Sequence, residues 1–210
     1  MIKAILFDMD GTLVDSERYY TEMSYKWVLQ YRSIEKRDIY QIVGANMDKT
    51  YRIMSKLAGL SYDETKKSYD EYFSKHPMNY NDYLFDDVKD VLPKLCDYKL
   101  AICTLSSRDM LNKFISDTGL NEFDLLLSDE DVKNPKPSPD IYLKAIERFG
   151  VNRDETLVIE DSSTGIKAGK NAGICTLARD GSRFFIDQSE ADNIFDDLHE
   201  VLNILNEKNI

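Results

Sequence analysis

The stretch Ala4-Ile5-Leu6-Phe7-Asp8-Met9-Asp10-Gly11-Thr12 constrains this chain more than any other. An unbroken apolar run bounded by a turn signal suits a strand covered on both faces, as in a parallel sheet. Gly11 allows the sharp turn that ends it. Asp8 and Asp10 therefore stand just past the carboxyl end of a central strand, the edge where open α/β sheets bind ligands. Carboxylates this close repel, and a cation, a shared proton or water must relieve them. Mg²⁺, a hard ion that takes carboxylate and carbonyl oxygens, is the simplest solution. A polar turn with two solvated acids is the plainer alternative.

After Asp15 the pattern turns helical. Ser16 is placed to cap a helix over residues 17–31, with Tyr20, Met23, Trp27 and Tyr31 at helical spacing. A short helix is expected over 33–43, ended by Gly44. Asn46 caps a helix over 47–57 with Gly59 beyond it, and Ser61-Tyr62-Asp63-Glu64 opens another as a capping box. His76-Pro77 stops that helix. From Asp86 onward helices alternate with strands: helices over 87–95, 108–118, 139–149, 162–172 and 198–205, and strands over 100–104, 123–127, 156–159, 174–177 and 192–194. Alternation of this kind implies right-handed β-α-β units in a doubly wound parallel sheet. The expected fold class is thus α/β. Residues 1–15 and 81–210 form the sheet domain, and residues 16–80 form an inserted all-helical domain.

The chain has 210 residues and a formal net charge of −11, which disfavours nucleic acid and anionic membranes as partners. No segment approaches the roughly 20 apolar residues of a membrane span. The N-terminus enters a strand at once, so no signal peptide is expected, and the cysteine pattern below suits a cytoplasmic location. Cys96, Cys103 and Cys175 are odd in number and widely spaced, and are read as reduced, buried thiols. A monomer is the default.

Polar groups recur at the strand ends: Asp8 and Asp10; Thr104, Ser106 and Ser107; Lys136 in a Pro-flanked loop; and Glu160-Asp161-Ser162. Singly, Lys136 reads as a solvated surface lysine, Thr104 as a strand end, and Glu160-Asp161 as acids at a helix N-terminus. Together, Asp8-Met9-Asp10-Gly11-Thr12, Thr104, Lys136 and Glu160-Asp161 resemble the four motifs of the haloacid dehalogenase superfamily. The likeness is to its phosphatases and β-phosphoglucomutase-like members with a helical cap inserted after the first strand.

The resemblance implies a Rossmann-like core, a helical cap and an Mg²⁺-dependent enzyme acting on a small phosphorylated metabolite. Asp8 would be the nucleophile that forms an aspartyl-phosphate. Asp10 would protonate the leaving oxygen and then activate water. Thr104 and Lys136 would bind the phosphoryl group, Lys136 pairing with Asp8 as well. Asp8, the Asp10 carbonyl and Asp161 would ligate the metal, with Glu160 as an alternate ligand or the holder of a bound water. Where a mutase of this family carries a cap arginine, Val43-Gly44-Ala45-Asn46-Met47 offers Met47, and Tyr20 stands where a histidine is expected. These departures favour a phosphatase over a phosphosugar mutase. A non-catalytic binding protein on the same fold is the lesser alternative.

Overall fold

The computed structural model describes residues 1–208. Strand β1, Ala4–Phe7, has no solvent exposure at any position. It lies between β2, Lys99–Cys103, and β4, Thr156–Glu160. Strand β3, Leu125–Leu127, flanks β2; β5, Cys175–Arg179, and β6, Asn193–Phe195, extend the sheet beyond β4. The order is β3-β2-β1-β4-β5-β6, and every pairing is parallel. The order reverses direction at β1, which opens a crevice at the strands' carboxyl ends. Register sets what gathers there: Phe7 pairs with Ile102 on one side and Ile159 on the other. Asp8, Cys103 and Glu160, each one residue further on, come level at a single edge.

The chain divides into two compact units, Ser16–Asn79 and Met1–Asp15 with the chain from Tyr80 on. In the sheet unit, Leu6, Ala101, Cys103 and Val158 pack with Ile141, Tyr142, Ala145 and Ala168. The last four come from α6, Asp140–Phe149, and α7, Ser163–Ala172. Helix α5, Arg108–Thr118, starts on the Ser107 hydroxyl, which accepts from the Met110 N–H, and ends at Gly119 with φ of 69°. Helix α8 spans Leu198–Lys208.

In the helical unit, α1 (Ser16–Val28), α2 (Met47–Ala58) and α3 (Tyr62–Lys75) enclose Trp27, Val28, Ile39, Tyr51, Met54 and Tyr69. Two of the three expected caps form, Asn46 accepting from the Lys49 N–H and Ser61 closing its box with Glu64, whereas Ser16 is itself the first residue of α1. Tyr69 shares a hydrogen bond of 2.6 Å with Ser24, and the Tyr51 hydroxyl donates to Asp70 at 2.6 Å.

Several expectations shift. Helix α1 stops at Val28, and Leu29 and Tyr31 are exposed. Residues Lys36–Ile42 wind as a 3₁₀ turn. The expected helix over 87–95 splits into α4, Val88–Val91, and a 3₁₀ turn over Leu92–Leu95, because Pro93 has no N–H for the helical ladder. Cys103 is buried, but Cys96 and Cys175 are exposed: strand β5 begins at Cys175, outside the covered centre of the sheet.

Candidate active site

The site grows from the end of β1. The Asp8 N–H donates to the Ile159 carbonyl at 2.8 Å, continuing the sheet by one residue. The chain then turns tightly, with Leu13 N–H donating to Met9 O at 2.9 Å and Gly11 N–H to Val14 O at 2.8 Å. Gly11 has φ of +81°, and a Cβ there would lie 2.0 Å from Asp161 Oδ2. Only glycine meets both the backbone angle and the close approach. Beyond the turn, the Ser106 hydroxyl donates to Asp10 Oδ2 at 2.7 Å. Ser106 follows β2, so its bond ties the second acid to the neighbouring strand's end. The Thr104 hydroxyl oxygen accepts from the Ser106 N–H at 3.0 Å, and Thr104 is buried.

Lys136 is no surface lysine: its side chain is 1% exposed. Its ammonium donates to Asp8 Oδ1 at 2.6 Å, to Glu160 Oε1 at 2.6 Å and to the Cys103 carbonyl at 2.8 Å. An ammonium has three donors, so all of them are engaged. Burial would pull the Lys136 pKa down, but the Asp8 and Glu160 carboxylates outweigh it and hold it well above the usual lysine value.

Glu160 has no solvent exposure. Its Oε1 takes the Tyr142 hydroxyl at 2.7 Å besides Lys136. Its Oε2 takes the Asp161 N–H at 3.1 Å, the Ser162 N–H at 3.3 Å and the Ser162 hydroxyl at 3.2 Å. Helix α7 comes in close behind: a Cβ on Gly165 would fall 1.7 Å from Glu160 Oε1. Gln188 clamps the next residue, its side-chain amide donating to the Asp161 carbonyl and, at 2.7 Å, to the Arg179 carbonyl.

Four carboxylates, Asp8, Asp10, Glu160 and Asp161, face one ammonium. Burial, offset in part by Lys136, pushes the Asp8 carboxyl up to about 8. Asp161 is pushed well above the carboxylate range by burial, then by Glu160 and Asp8. Asp8, Glu160 and Asp161 can each bring one carboxylate oxygen within 4.8 Å of the others. Such all-oxygen donors, crowded and under-neutralised, fit a hard divalent cation. Within this cluster both Glu160 oxygens already accept two or more hydrogen bonds.

All the site residues expected from sequence thus gather at this edge, with Asp10 and Thr104 joined through Ser106. Tyr142 and Gln188 escaped the sequence reading. For Tyr142 a signal existed: it follows Asp140-Ile141 on the inward face of α6, where a buried hydroxyl needs a polar partner. Gln188 lies in an irregular segment that no periodicity marks.

The family model for haloacid dehalogenase-like hydrolases matches residues 5–179. The curated pyrophosphatase PpaX of Bacillus velezensis is 31% identical over 182 residues, spanning 83% of this chain and 82% of that protein. PpaX of Listeria monocytogenes is 28% identical over 83% of this chain and 82% of its own length. Among solved structures, a Thermotoga maritima protein described as "putative beta-phosphoglucomutase" superposes with a TM-score of 0.80 at 27% identity, covering 98% of this chain and 99% of that one. CbbY of Rhodobacter sphaeroides in complex with phosphate shares the fold, with a TM-score of 0.67 at 22% identity over 96% of each chain. With its parallel sheet, its helical insertion and the acids at the sheet edge, the chain belongs to the haloacid dehalogenase-like hydrolases.

Proposed function

We propose that this hydrolase cleaves a small phosphomonoester through an aspartyl-phosphate on Asp8. The observation that carries the reading is the buried 2.6 Å contact of Lys136 with Asp8, beside Glu160 and Asp161 at the same sheet edge. An Asp8 oxygen attacks phosphorus, and the bond from phosphorus to the leaving oxygen breaks. Asp10, held by Ser106, gives that oxygen a proton. Asp10 then takes a proton from the water that attacks the aspartyl-phosphate, which releases phosphate and restores Asp8. Asp8, Asp161 and the Asp10 carbonyl would hold Mg²⁺, which supplies charge neutralisation between nucleophile and phosphate.

Lys136 enters the first step with no donor to spare. When an Asp8 oxygen becomes part of the acyl phosphate, Asp8 loses its full charge, and the Lys136 donor on Oδ1 is the one that can turn to a phosphoryl oxygen. Thr104, whose hydroxyl oxygen already accepts from Ser106, keeps its O–H to donate to the same group.

A mutase reading draws support from the likeness to the Thermotoga maritima protein. Against it, Met47 and Tyr20 stand where cationic groups would be needed. Of Arg18, Arg52 and Lys75, the cations that could substitute, Arg52 and Lys75 pair with Asp48 and Glu71 one turn away on their own helices. The test is phosphate release with Mg²⁺ from sugar phosphates, nucleoside monophosphates, phosphoglycolate and β-glucose 1-phosphate. Inorganic pyrophosphate joins the panel because curated relatives carry that activity in their names. Release abolished by chelation is the expected result. Conversion of β-glucose 1-phosphate to glucose 6-phosphate faster than its hydrolysis would establish the mutase instead.

A further inference from the structure

The chemistry above leaves Tyr142 unexplained. It lies in the first turn of α6 with no solvent exposure, packed with Ile141, Ala145 and Ala168. A phenylalanine would fill that space without a hydroxyl that burial obliges to find a partner. Here the hydroxyl donates to Glu160 Oε1 at 2.7 Å, the same oxygen that accepts from Lys136 at 2.6 Å. The Lys136 Nζ also lies 5.1 Å from the centroid of the Tyr142 ring, within the range of a cation–π contact. One side chain therefore touches both members of the pair, the carboxylate through its hydroxyl and the ammonium through its ring.

The far end of the carboxylate is held as well. Glu160 Oε2 takes the Asp161 and Ser162 N–H groups and the Ser162 hydroxyl. With Tyr142 on Oε1, the carboxylate can neither swing toward a cation nor rotate without losing a hydrogen bond in a buried place. Lys136 is then anchored on two fixed acceptors, Glu160 Oε1 and the Cys103 carbonyl, and its third donor is aimed at Asp8.

We infer that Tyr142 is a positioning residue that locks Glu160 so that Glu160 orients Lys136 toward Asp8, Glu160 thereby serving the lysine and not the metal. The inference deepens the phosphatase reading and rests on it for its kinetic consequences. Tyr142→Phe keeps the ring and removes only the oxygen. With the best substrate found, kcat should fall about tenfold, the scale set by one hydrogen bond to a charged group, with KM and the Mg²⁺ dissociation constant within twofold of wild type. A merely structural tyrosine would lower the melting temperature and leave kcat unchanged, and that result overturns the inference. A parallel loss of Mg²⁺ affinity overturns it too, because Glu160 would then be acting on the metal.

A second readout needs no turnover. In isotope-labelled protein, the Lys136 ammonium protons should exchange with water faster in Tyr142→Phe than in wild type; unchanged exchange counts against the lock. If wild type releases no phosphate from any substrate, the phosphatase reading fails while this comparison still decides the role of Tyr142. Should the Phe variant not fold, Tyr142→Met, which removes ring and hydroxyl together, is read in the same way.

Discussion

The two units bury polar groups in opposite ways. At the sheet edge, the ionisable groups Asp8, Lys136 and Glu160 are buried together, and Lys136 and Glu160 use every donor and acceptor they have. The helical unit buries rings. Trp27 stands edge-on to Tyr69 at 5.3 Å between centroids, Tyr69 lies 4.5 Å from Phe73, and Tyr51 and Tyr69 meet edge-on at 6.0 Å. There Trp27 Nε1 and Thr65 Oγ1 have no partner, and in the sheet unit the uncharged hydroxyl of Thr12, in the turn after β1, has none either. An unpaired buried charge is far more costly than an unpaired buried hydroxyl or indole N–H. The sheet edge therefore needs exact pairing, whereas the helical interior rests on apolar area and ring geometry. The sheet edge should be brittle in function and the helical unit forgiving of single polar losses.

The largest effect is expected from Lys136→Ala. It leaves Asp8 and Glu160 buried without their cation, a situation that costs about 3–5 kcal/mol. Phosphate release should fall by roughly three orders of magnitude or more, as befits charge stabilisation in a water-poor site. Denaturant unfolding and the phosphate assay read the two separately; near-wild-type turnover would falsify the charge argument. Asp8→Asn should abolish turnover as fully while sparing stability, since it removes one of the crowded carboxyl groups.

Trp27→Ala tests the other side of the comparison. Loss of a buried tryptophan should cost about 3–5 kcal/mol, seen as early melting of the helical unit. Mg²⁺ binding at Asp8 and Asp161 should remain, measured by calorimetry. If metal affinity vanished with the aromatic core, the two units would not be energetically distinct in the way their interiors suggest. Tyr69→Phe removes one side of the Ser24 pair and should cost only about 1 kcal/mol, the net value of an uncharged hydrogen bond. Tyr142→Phe, equally one oxygen, should instead be read mainly in kcat, because its partner is a charge at the reaction centre.

The smallest effect belongs to exposed charge. His199 hydrogen-bonds Asp90 at 2.6 Å and Asp197 at 2.5 Å, and these two contacts raise its pKa above 6.5. The stabilisation is fully present below the unfolded value and fades as pH rises through the higher folded one. His199→Gln should remove that slight decline in stability as pH rises above about 6.5 and leave the rest of the profile unchanged. A profile identical to wild type would show that solvent screens the cluster completely.

Much of the fold was legible because local signals and burial agreed. The run Ala4–Phe7 became the centre of the sheet, and Asn46, Ser61 and Gly119 took the cap positions their residue types suit. The signals failed for one local reason and one tertiary one. Pro93 interrupted a stretch whose apolar spacing is helical, and residues Lys36–Ile42 settled as a 3₁₀ turn with Ile39 and Ile42 buried. Lys136 looked like a loop lysine because the acids it pairs with lie 128 and 24 residues away, while the nearer Asp131 and Asp140 bond to other groups.

The sequence by itself determined the alternation of strands and helices, the position of the helical insertion, and which strand ends carry acids and hydroxyls. Those properties are local, set by side-chain period and turn chemistry. Only the tertiary structure decided that Asp8, Cys103 and Glu160 would stand level, that Lys136 would spend all three donors among them, and that Tyr142 would hold the pair in place. Hydrogen bonds act over about 3 Å, so which groups satisfy one another depends on sheet register and helix approach, and neither is written in the spacing of residues along the chain.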